Sequence, residues 1–348
     1  MQCAGATTLR TRAKALLLLL RVCVRRPTFC WQLFRRRILG RPVVVVRRYG
    51  GIGDIVCTLP SVVTLRRNEP DAVLIYETLG NNMPLLECCP AVDVAVELRT
   101  PLAESIHRFL RPRWTLYPLL PDERTPPQSR KHIHIVEEFG RSCGLSFLTE
   151  RSPRLEIPTK ARERIERRLR KAGLQNETIA VIHTGPTWQV KEWPTAKWRE
   201  LVNRLQWNLG VAVIQIGHDY CGSGEPRPSP RVEGAVDWVG QLCIKEMLAL
   251  LKRAKVFVGI DSGMLHLAGA VCAPCVGLFG PTDGRCFLPR ESPAVGVTSR
   301  VACLGCHHHT LGPTHWRTGC PSAMICMSEL AVNDVFVACS QLCGRNSA

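Results

Sequence analysis

The chain has 348 residues, of which 45% are hydrophobic, and a formal net charge of +17 at pH 7. This length has room for about two domains, and the hydrophobic fraction is that of a globular protein, which excludes a disordered or low-complexity chain. The charge is uneven, because no Asp or Glu precedes Asp54 whereas twelve Lys and Arg lie among residues 1–48.

Residues 1–42 form a basic, partly apolar amino-terminal arm. The apolar run at 16–20 ends at Arg21, which is too short to span a bilayer, and no small-residue cleavage site of a signal peptide follows it. The pattern predicts a peripheral contact of residues 10–41 with an anionic membrane. A disordered arm and a start site misplaced upstream stay open as alternatives. Nucleic acid is not an expected partner, because nothing else resembles a base-reading module.

The sequence contains 18 cysteines, spread along the whole chain. Many of them lie on apolar helical faces, which favours buried free thiols in a reducing cytoplasm over a disulfide scaffold. We therefore expect a cytoplasmic protein.

Residues 303–326 form a Cys/His-rich segment, with thiols at Cys303, Cys306, Cys320 and Cys326. The first two have the C-x-x-C spacing of zinc sites, whereas the second pair departs from it. A structural zinc, disulfides and free thiols are all compatible with this pattern. A catalytic metal is not expected, because no cluster of carboxylates accompanies the thiols.

Residues 43–160 read as a first α/β domain. Strands are predicted at 43–46, 72–76 and 92–96, and helices at 55–67 and 132–143, with Pro60 starting a turn or kinking the first helix. The Pro- and Arg-rich stretch 99–130 is predicted to form loops.

Residues 161–348 read as a second domain of the same class, beginning with a charged surface helix at 161–172. Strands are predicted at 179–183, 211–216, 256–260 and 276–279, and helices at 198–209, 245–252 and 264–271. Each domain opens with a buried strand that runs into a loop, so a ligand cleft is expected at the carboxyl ends of the strands.

Asp54 closes the glycine-rich loop of the first domain. Its default interpretation is a helix N-cap. The glycines at 50, 51 and 53 leave its carboxylate uncrowded at the edge of the sheet, where it could also act as a general base.

The loop at 184–194 carries Lys191, whose default interpretation is a surface lysine. Opposite a phosphate-binding turn, its ammonium could instead neutralise the charge of a departing diphosphate. Thr184 and Thr187 could donate hydroxyl hydrogen bonds to the same group.

The second domain contains a strand, a turn and a small-residue helix around Asp261, Ser262 and Gly263. Backbone N–H groups at the start of this helix would bind a phosphate, and His266 could donate a further hydrogen bond. Asp261 is either a cap or a ligand contact.

Other chemistries are not indicated. The loop at 50–53 lacks the full G-x-G-x-x-G pattern, and the chain has neither a P-loop nor a G-x-S-x-G motif.

Several motifs in order resemble the heptosyltransferases of glycosyltransferase family 9. They are Gly-Gly-Ile-Gly-Asp-Ile at 50–55 with Leu-Pro at 59–60, Lys-Glu-Trp-Pro at 191–194, Gly-Ile-Asp-Ser-Gly-Met-Leu-His-Leu-Ala at 259–268, Leu-Phe-Gly-Pro-Thr-Asp at 278–283 and Cys-Met at 326–327.

The resemblance implies a GT-B architecture, with two Rossmann-like domains facing a central cleft. It also implies inverting transfer of a sugar, typically heptose from ADP-heptose, to a lipopolysaccharide-core or related glycolipid acceptor, with no required cofactor. Asp54 matches the family's catalytic base and Lys191 its donor-phosphate lysine. The other expected donor-binding residues are Thr184, Thr187, Asp261, Ser262, Gly263 and His266.

A lipid-linked saccharide acceptor would place the enzyme peripherally on the inner face of the cytoplasmic membrane. Two rival hypotheses stay open at this stage. One is a GT-B-like transferase or epimerase that uses another nucleotide sugar. The other is a metal-stapled, basic nucleic-acid-binding protein without catalysis.

Overall fold

The computed structural model describes residues 40–119, 133–153, 155–219, 227–308 and 320–345. The amino-terminal arm, with its predicted membrane contact at 10–41, therefore lies outside the described residues except at its last three positions. In the described ranges, no helix is both long enough and apolar enough to cross a membrane.

The first half of the chain forms a four-stranded sheet in the order β3-β2-β1-β4, with every neighbouring pair parallel. Its elements are β1 (Val43–Arg47), α1 (Ile52–Asn68), β2 (Val73–Thr78), α2 (Met83–Leu86), β3 (Val94–Glu97), α3 (Pro101–Leu110), β4 (Trp114–Leu116) and α4 (Ile135–Ser142). Short β-branched runs such as β1 suit the interior of such a sheet, because both of its faces are covered.

Two expectations for this half need correction. The stretch 99–130 was predicted as loops, yet it contains α3 and β4. Thr100 caps α3 by accepting a hydrogen bond from the Ala103 N–H, Pro101 occupies the first turn, and Ile106 is fully buried. Helix α1 also runs through Pro60, so the predicted turn there is wrong, whereas the alternative, a kink, stays a prediction.

The second half forms a six-stranded parallel sheet in the order β10-β9-β8-β5-β6-β7. Its elements are α5 (Thr159–Lys171), β5 (Ile179–His183), α6 (Thr195–Leu209), β6 (Ala212–Gln215), β7 (Val236–Asp237), α7 (Ile244–Arg253), β8 (Val256–Ile260), α8 (Gly263–Ala270), β9 (Cys275–Phe279), α9 (Gly284–Phe287), β10 (Ala294–Thr298), α10 (Ile325–Ser328) and α11 (Val332–Arg345).

The centre of this sheet is fully buried. All residues of β5, β8 and β9 are buried. The carboxyl ends of β5 and β8 lead into the two loops that carry the predicted donor-binding residues, at 184–194 and 261–263. Parallel pairing therefore brings these loops to one edge of the sheet.

Helices α1 and α8 join the two halves. Apolar residues of both helices belong to one continuous buried cluster, including Ile55 and Leu59 on α1 and Leu265 on α8. Further links include a 2.9 Å hydrogen bond from His134 Nε2 to the Leu288 carbonyl. The predicted division at residues 160/161 stays a prediction, because sheet membership alone does not define a boundary.

Candidate functional site

Asp54 lies in the first turn of α1, at the carboxyl edge of the first sheet. Gly51 is the N-cap, and its backbone N–H donates to Asp54 Oδ2 at 3.1 Å, so the carboxylate forms half of a capping box. Gly50 has a φ of 143°, and a Cβ there would lie 2.4 Å from Asp54 Oδ2. The loop therefore needs glycine at this position to leave space for the carboxylate.

Arg48 supplies a positive charge behind Asp54. Its side chain is buried, its Nη2 lies 3.6 Å from Asp54 Oδ1, and its guanidinium lies 5.1 Å from the centroid of the Phe139 ring. Its Nη1 also donates to the Pro118 carbonyl at 3.1 Å. These contacts hold the guanidinium in place and favour the ionised form of the carboxylate.

Ser262 is the N-cap of α8, but its hydroxyl makes no capping hydrogen bond to that helix. It contacts Nδ1 of His183 at 3.1 Å instead. Burial, with a smaller contribution from His218, lowers the pKa of His183 to about 4, so its imidazole is neutral at pH 7. The Ser262 hydroxyl thus occupies none of the amides at the start of α8, and backbone N–H groups at a helix start are suited to bind an anion.

Lys191 and Asp261 form an ion pair behind this turn. Lys191 Nζ lies 2.7 Å from Asp261 Oδ2, which also accepts a 2.7 Å hydrogen bond from the hydroxyl of Thr282. The ammonium lies 4.4 Å from the centroid of the Trp188 ring as well. Asp261 therefore holds Lys191 in place, whereas Ser262 takes the N-cap position.

The charges of this pair follow from its surroundings. Burial by itself would raise the pKa of Asp261, but the nearby Lys191 and His266 and the hydrogen bonds from Lys191 and Thr282 outweigh it, so the pKa is lowered. Burial lowers the pKa of His266, against the opposing effect of Asp261. The turn thus combines an ion pair with a neutral imidazole.

The two halves of the site meet at a pair of glycines. A Cβ on Gly53 would lie 3.0 Å from the Cα of Gly263, and one on Gly263 would lie 2.4 Å from Cγ2 of Ile52. The amino-terminal ends of α1 and α8 therefore touch, and the contact brings together Asp54, which follows Gly53, and Ser262, which precedes Gly263.

Thr184 and Thr187 are placed differently from each other. Thr184 is buried, and its hydroxyl donates to the Pro230 carbonyl at 3.1 Å and accepts from Gln215 Nε2 at 3.0 Å. Thr187 is half-buried, and its backbone N–H faces Glu192 Oε1 at 3.4 Å. In this structure Thr184 supports the loop from behind, and its donor-binding role stays a prediction.

The Cys/His-rich segment packs against the residues that follow β9 and against the loop that carries Lys191. The N–H groups of Gly305 and His307 donate to the carbonyls of Gly280 and Pro281 at 2.8 and 2.9 Å, immediately before Thr282. The rings of Trp188 and His307 are 6.2 Å apart. The segment therefore braces both Thr282 and the Lys191 loop.

The thiols at Cys303, Cys306, Cys320 and Cys326 lie near one another. Burial raises the pKa of Cys326 to about 11, with added contributions from the other three thiols. In the part of the chain that the structure describes, no group of three or more His, Cys, Asp or Glu side chains is arranged to hold a metal ion. The structural zinc therefore stays a prediction.

Four residues of the site were not identified from the sequence: Arg48, Cys57, His183 and Thr282. Cys57 Sγ lies 3.3 Å from Nδ1 of His266. His183 ends β5 and Thr282 follows β9, so both lie at the sheet edge that carries Asp261 and Ser262, a position that could have marked them as candidates.

Comparison with known proteins shows what this arrangement is similar to. Residues 148–312 match the family model described as "Glycosyltransferase family 9 (heptosyltransferase)". The chain carries a glycosyltransferase family 9 domain.

Lipopolysaccharide heptosyltransferase 3 of Escherichia coli is 25% identical to this chain over 280 residues, which are 66% of the chain and 81% of the relative. Lipopolysaccharide heptosyltransferase 1 of Pseudomonas aeruginosa is 32% identical over 114 residues, only 30% of the chain and 29% of that protein. The family match and these relatives identify the chain as an enzyme, a glycosyltransferase.

Among solved structures, the glycosyl transferase family 9 protein of Veillonella parvula superimposes with a TM-score of 0.68 at 16% identity. The alignment covers 87% of this chain and 97% of that protein. This likeness, together with the two parallel sheets and their shared cleft, confirms the predicted GT-B fold.

Proposed function

We propose that the chain is an inverting glycosyltransferase that moves heptose from ADP-heptose to a lipopolysaccharide-core or related glycolipid acceptor. One observation carries this proposal: Asp54 and the Asp261–Lys191 turn come from opposite sheets and border one cleft, because Gly53 and Gly263 allow the two helix ends to touch. The similarity to two lipopolysaccharide heptosyltransferases supports the choice of sugar and acceptor.

Asp54 is the general base in this proposal. Its side chain is 28% exposed, so an acceptor hydroxyl can reach it from the cleft. The neighbouring Arg48 favours the ionised carboxylate, which is the form that accepts a proton. The deprotonated hydroxyl then attacks the anomeric carbon from the face opposite the diphosphate, which inverts the configuration.

The leaving diphosphate is held by the second domain. The first-turn amides of α8 at Gly263 bind one phosphate, His266 donates a hydrogen bond, and the Lys191 ammonium lies beside them. Because Asp261 and the Trp188 ring fix the ammonium before the donor arrives, it needs little reorganisation as charge grows on the leaving oxygen. No step of this mechanism uses a metal or a cofactor.

The decisive experiment measures release of nucleoside diphosphate from a panel of nucleotide sugars with a lipid-A-type acceptor. We expect Asp54→Asn to lower kcat by about 10²- to 10⁴-fold, since a positioned base contributes about that much. Donor binding should be almost unchanged, because the phosphates are held by the other domain. Asp71→Asn, an exposed carboxylate paired with Arg41, is the matched control and should leave turnover unchanged.

The outcome separates the rival hypotheses. Wild-type rates in Asp54→Asn would overturn its assignment as the base, and release from a donor other than ADP-heptose would overturn the choice of sugar. No release from any donor, together with salt-dependent retention of DNA, would favour the nucleic-acid-binding protein. The lipid-linked acceptor also gives a reason for the predicted membrane contact of the arm and for a location at the inner face of the cytoplasmic membrane.

A further inference from the structure

Helix α1 contributes two groups to the cleft. Asp54 lies in its first turn, and Cys57 lies one turn later, where its side chain points toward the second domain. Cys57 Sγ is 3.3 Å from Nδ1 of His266, although 209 positions separate the two residues. A sulfur–nitrogen distance of this size is that of a hydrogen bond, so the contact joins the helix of the catalytic base to the donor-binding histidine.

The direction of this hydrogen bond follows from the two environments. Cys57 is 3% exposed, and burial raises the pKa of its thiol well above the ordinary value, with Asp54 and Asp261 adding to the effect. The thiol therefore keeps its proton and can donate it. The His266 imidazole is neutral, because burial lowers its pKa. A neutral imidazole has one acceptor nitrogen and one N–H, and its lone-pair nitrogen is a better acceptor than a thiol sulfur.

We propose that Cys57 is a positioning residue: its thiol donates to Nδ1 of His266 and so holds that ring in the tautomer that carries its proton on Nε2. The second nitrogen is then a permanent hydrogen-bond donor. Such a donor suits an anionic oxygen of a nucleoside diphosphate, whereas the opposite tautomer would present a lone pair to it. The role in donor binding rests on the proposed function, but the tautomer itself does not.

The arrangement makes the tautomer depend on contact between the domains. Cys57 belongs to the first domain and His266 to the second, and they meet because Gly53 packs against Gly263. Separating α1 from α8 would remove the thiol from Nδ1 and let the two tautomers interconvert. The ring is therefore prepared for the donor only while the helix that carries Asp54 is in place.

The first test uses NMR on the ligand-free, full-length protein with ¹⁵N-labelled histidine. Long-range ¹H–¹⁵N spectra separate a protonated ring nitrogen from an unprotonated one, and His266→Gln identifies the His266 signals. We expect a protonated Nε2 and an unprotonated Nδ1 in the wild-type protein. A protonated Nδ1 overturns the proposal, whether or not the chain transfers a sugar.

Variants supply the second test. In Cys57→Ala the two tautomers of His266 should interconvert, so we expect the ¹⁵N chemical shifts of its two ring nitrogens to become averaged. The donor KM should rise about two- to tenfold, because a neutral hydrogen bond contributes about that much to affinity. The kcat should change little, because the phosphate is held in the ground state and the transition state alike. Cys57→Ser retains a donor at the same position and should restore the wild-type tautomer and much of the affinity.

Cys89→Ser is the matched control, because Cys89 is also 3% exposed and in the same domain. It should leave both the His266 spectrum and the donor KM unchanged. A Cys57→Ala protein that keeps wild-type nitrogen shifts contradicts the proposal. Should that variant fail to fold, the wild-type spectrum and Cys57→Ser still decide it. If Cys57→Ala changes the His266 tautomer but the wild-type protein uses no nucleotide sugar, the proposed function is wrong and the role of the hydrogen bond is upheld.

Discussion

Gly263→Ala is the sharpest test of the contact between the two domains. The new Cβ would lie 2.4 Å from Cγ2 of Ile52 and 3.1 Å from the backbone nitrogen of Gly53. The isoleucine methyl sits on a branched Cβ with restricted χ1, and the nitrogen belongs to a helix end. Neither atom can yield by a simple rotation, so α1 and α8 must move apart.

The expected cost follows from overpacking a well-packed contact, which is about 1–3 kcal/mol. If that cost appears in donor binding, it corresponds to about a 5- to 150-fold rise in the donor KM. Urea unfolding, followed by tryptophan fluorescence, measures the stability part, and initial rates over a range of donor concentrations measure the binding part. Both should shift in Gly263→Ala.

Gly51→Ala is the matched control. Gly51 precedes α1 on the other side of this contact, its φ is −73°, and a Cβ there would meet nothing within 4 Å. Alanine is a poorer N-cap than glycine, and the substitution should cost about 0.5–1 kcal/mol. Adding Ile52→Leu to Gly263→Ala removes the clashing methyl and should recover part of the loss. Equal unfolding midpoints and donor KM values for Gly263→Ala and Gly51→Ala would refute the reasoning.

Three further predictions concern charge. Lys191→Met should lower the free energy of unfolding in urea by about 3–5 kcal/mol, because it leaves the buried carboxylate of Asp261 without a counter-charge. Adding Asp261→Asn to this variant should recover part of that loss. A loss under about 1 kcal/mol in Lys191→Met would contradict the ion pair. Burial lowers the pKa of His134 and His183 to about 4, whereas a histidine in an unfolded chain has a pKa of about 6.5. Between about pH 6.5 and pH 4 the unfolded state therefore binds more protons than the folded state, and the free energy of unfolding falls as the pH drops through this range. At pH 5 the loss is about 2 kcal/mol for each histidine, and a urea midpoint that does not change between pH 7 and pH 5 would be inconsistent with it. Deleting residues 1–40 should abolish sedimentation with anionic vesicles, and unchanged sedimentation would dispose of the membrane contact.

The central strands were predictable from local sequence. The predicted ranges 179–183 and 256–260 coincide with β5 and β8, because strands buried on both faces form short continuous apolar runs. The turn after β8 was predictable for a related reason, since a parallel strand followed by small residues must lead into a helix. Sequence pattern therefore identified the four inner strands of the second sheet and the start of α8, whereas the edge strands β7 and β10 were not predicted.

The sequence analysis missed features of two kinds: a helix whose start was obscured by the local composition, and contacts between residues that are far apart in the chain. Many Pro and Arg residues obscured α3, although Thr100 and Pro101 form a recognisable helix start. The Cys57–His266 contact has no local signal at all, because it depends on how α1 and α8 pack. For the same reason, the pattern could not show that Thr184 lies behind its loop, in a buried hydrogen-bond network with Gln215.

The touching ends of α1 and α8 also have an electrostatic consequence. Both are amino-terminal ends, where each helix dipole places a partial positive charge of about half an elementary unit. Asp54 offsets this charge in the first turn of α1, whereas the first turn of α8 has no acidic residue. The start of α8 therefore keeps its partial positive charge, and it lies against the start of α1 through Gly53 and Gly263. A nucleoside diphosphate bound beside this contact would bring negative charge to the helix end that has no acidic side chain of its own, and would so stabilise the packing of the two domains as it binds.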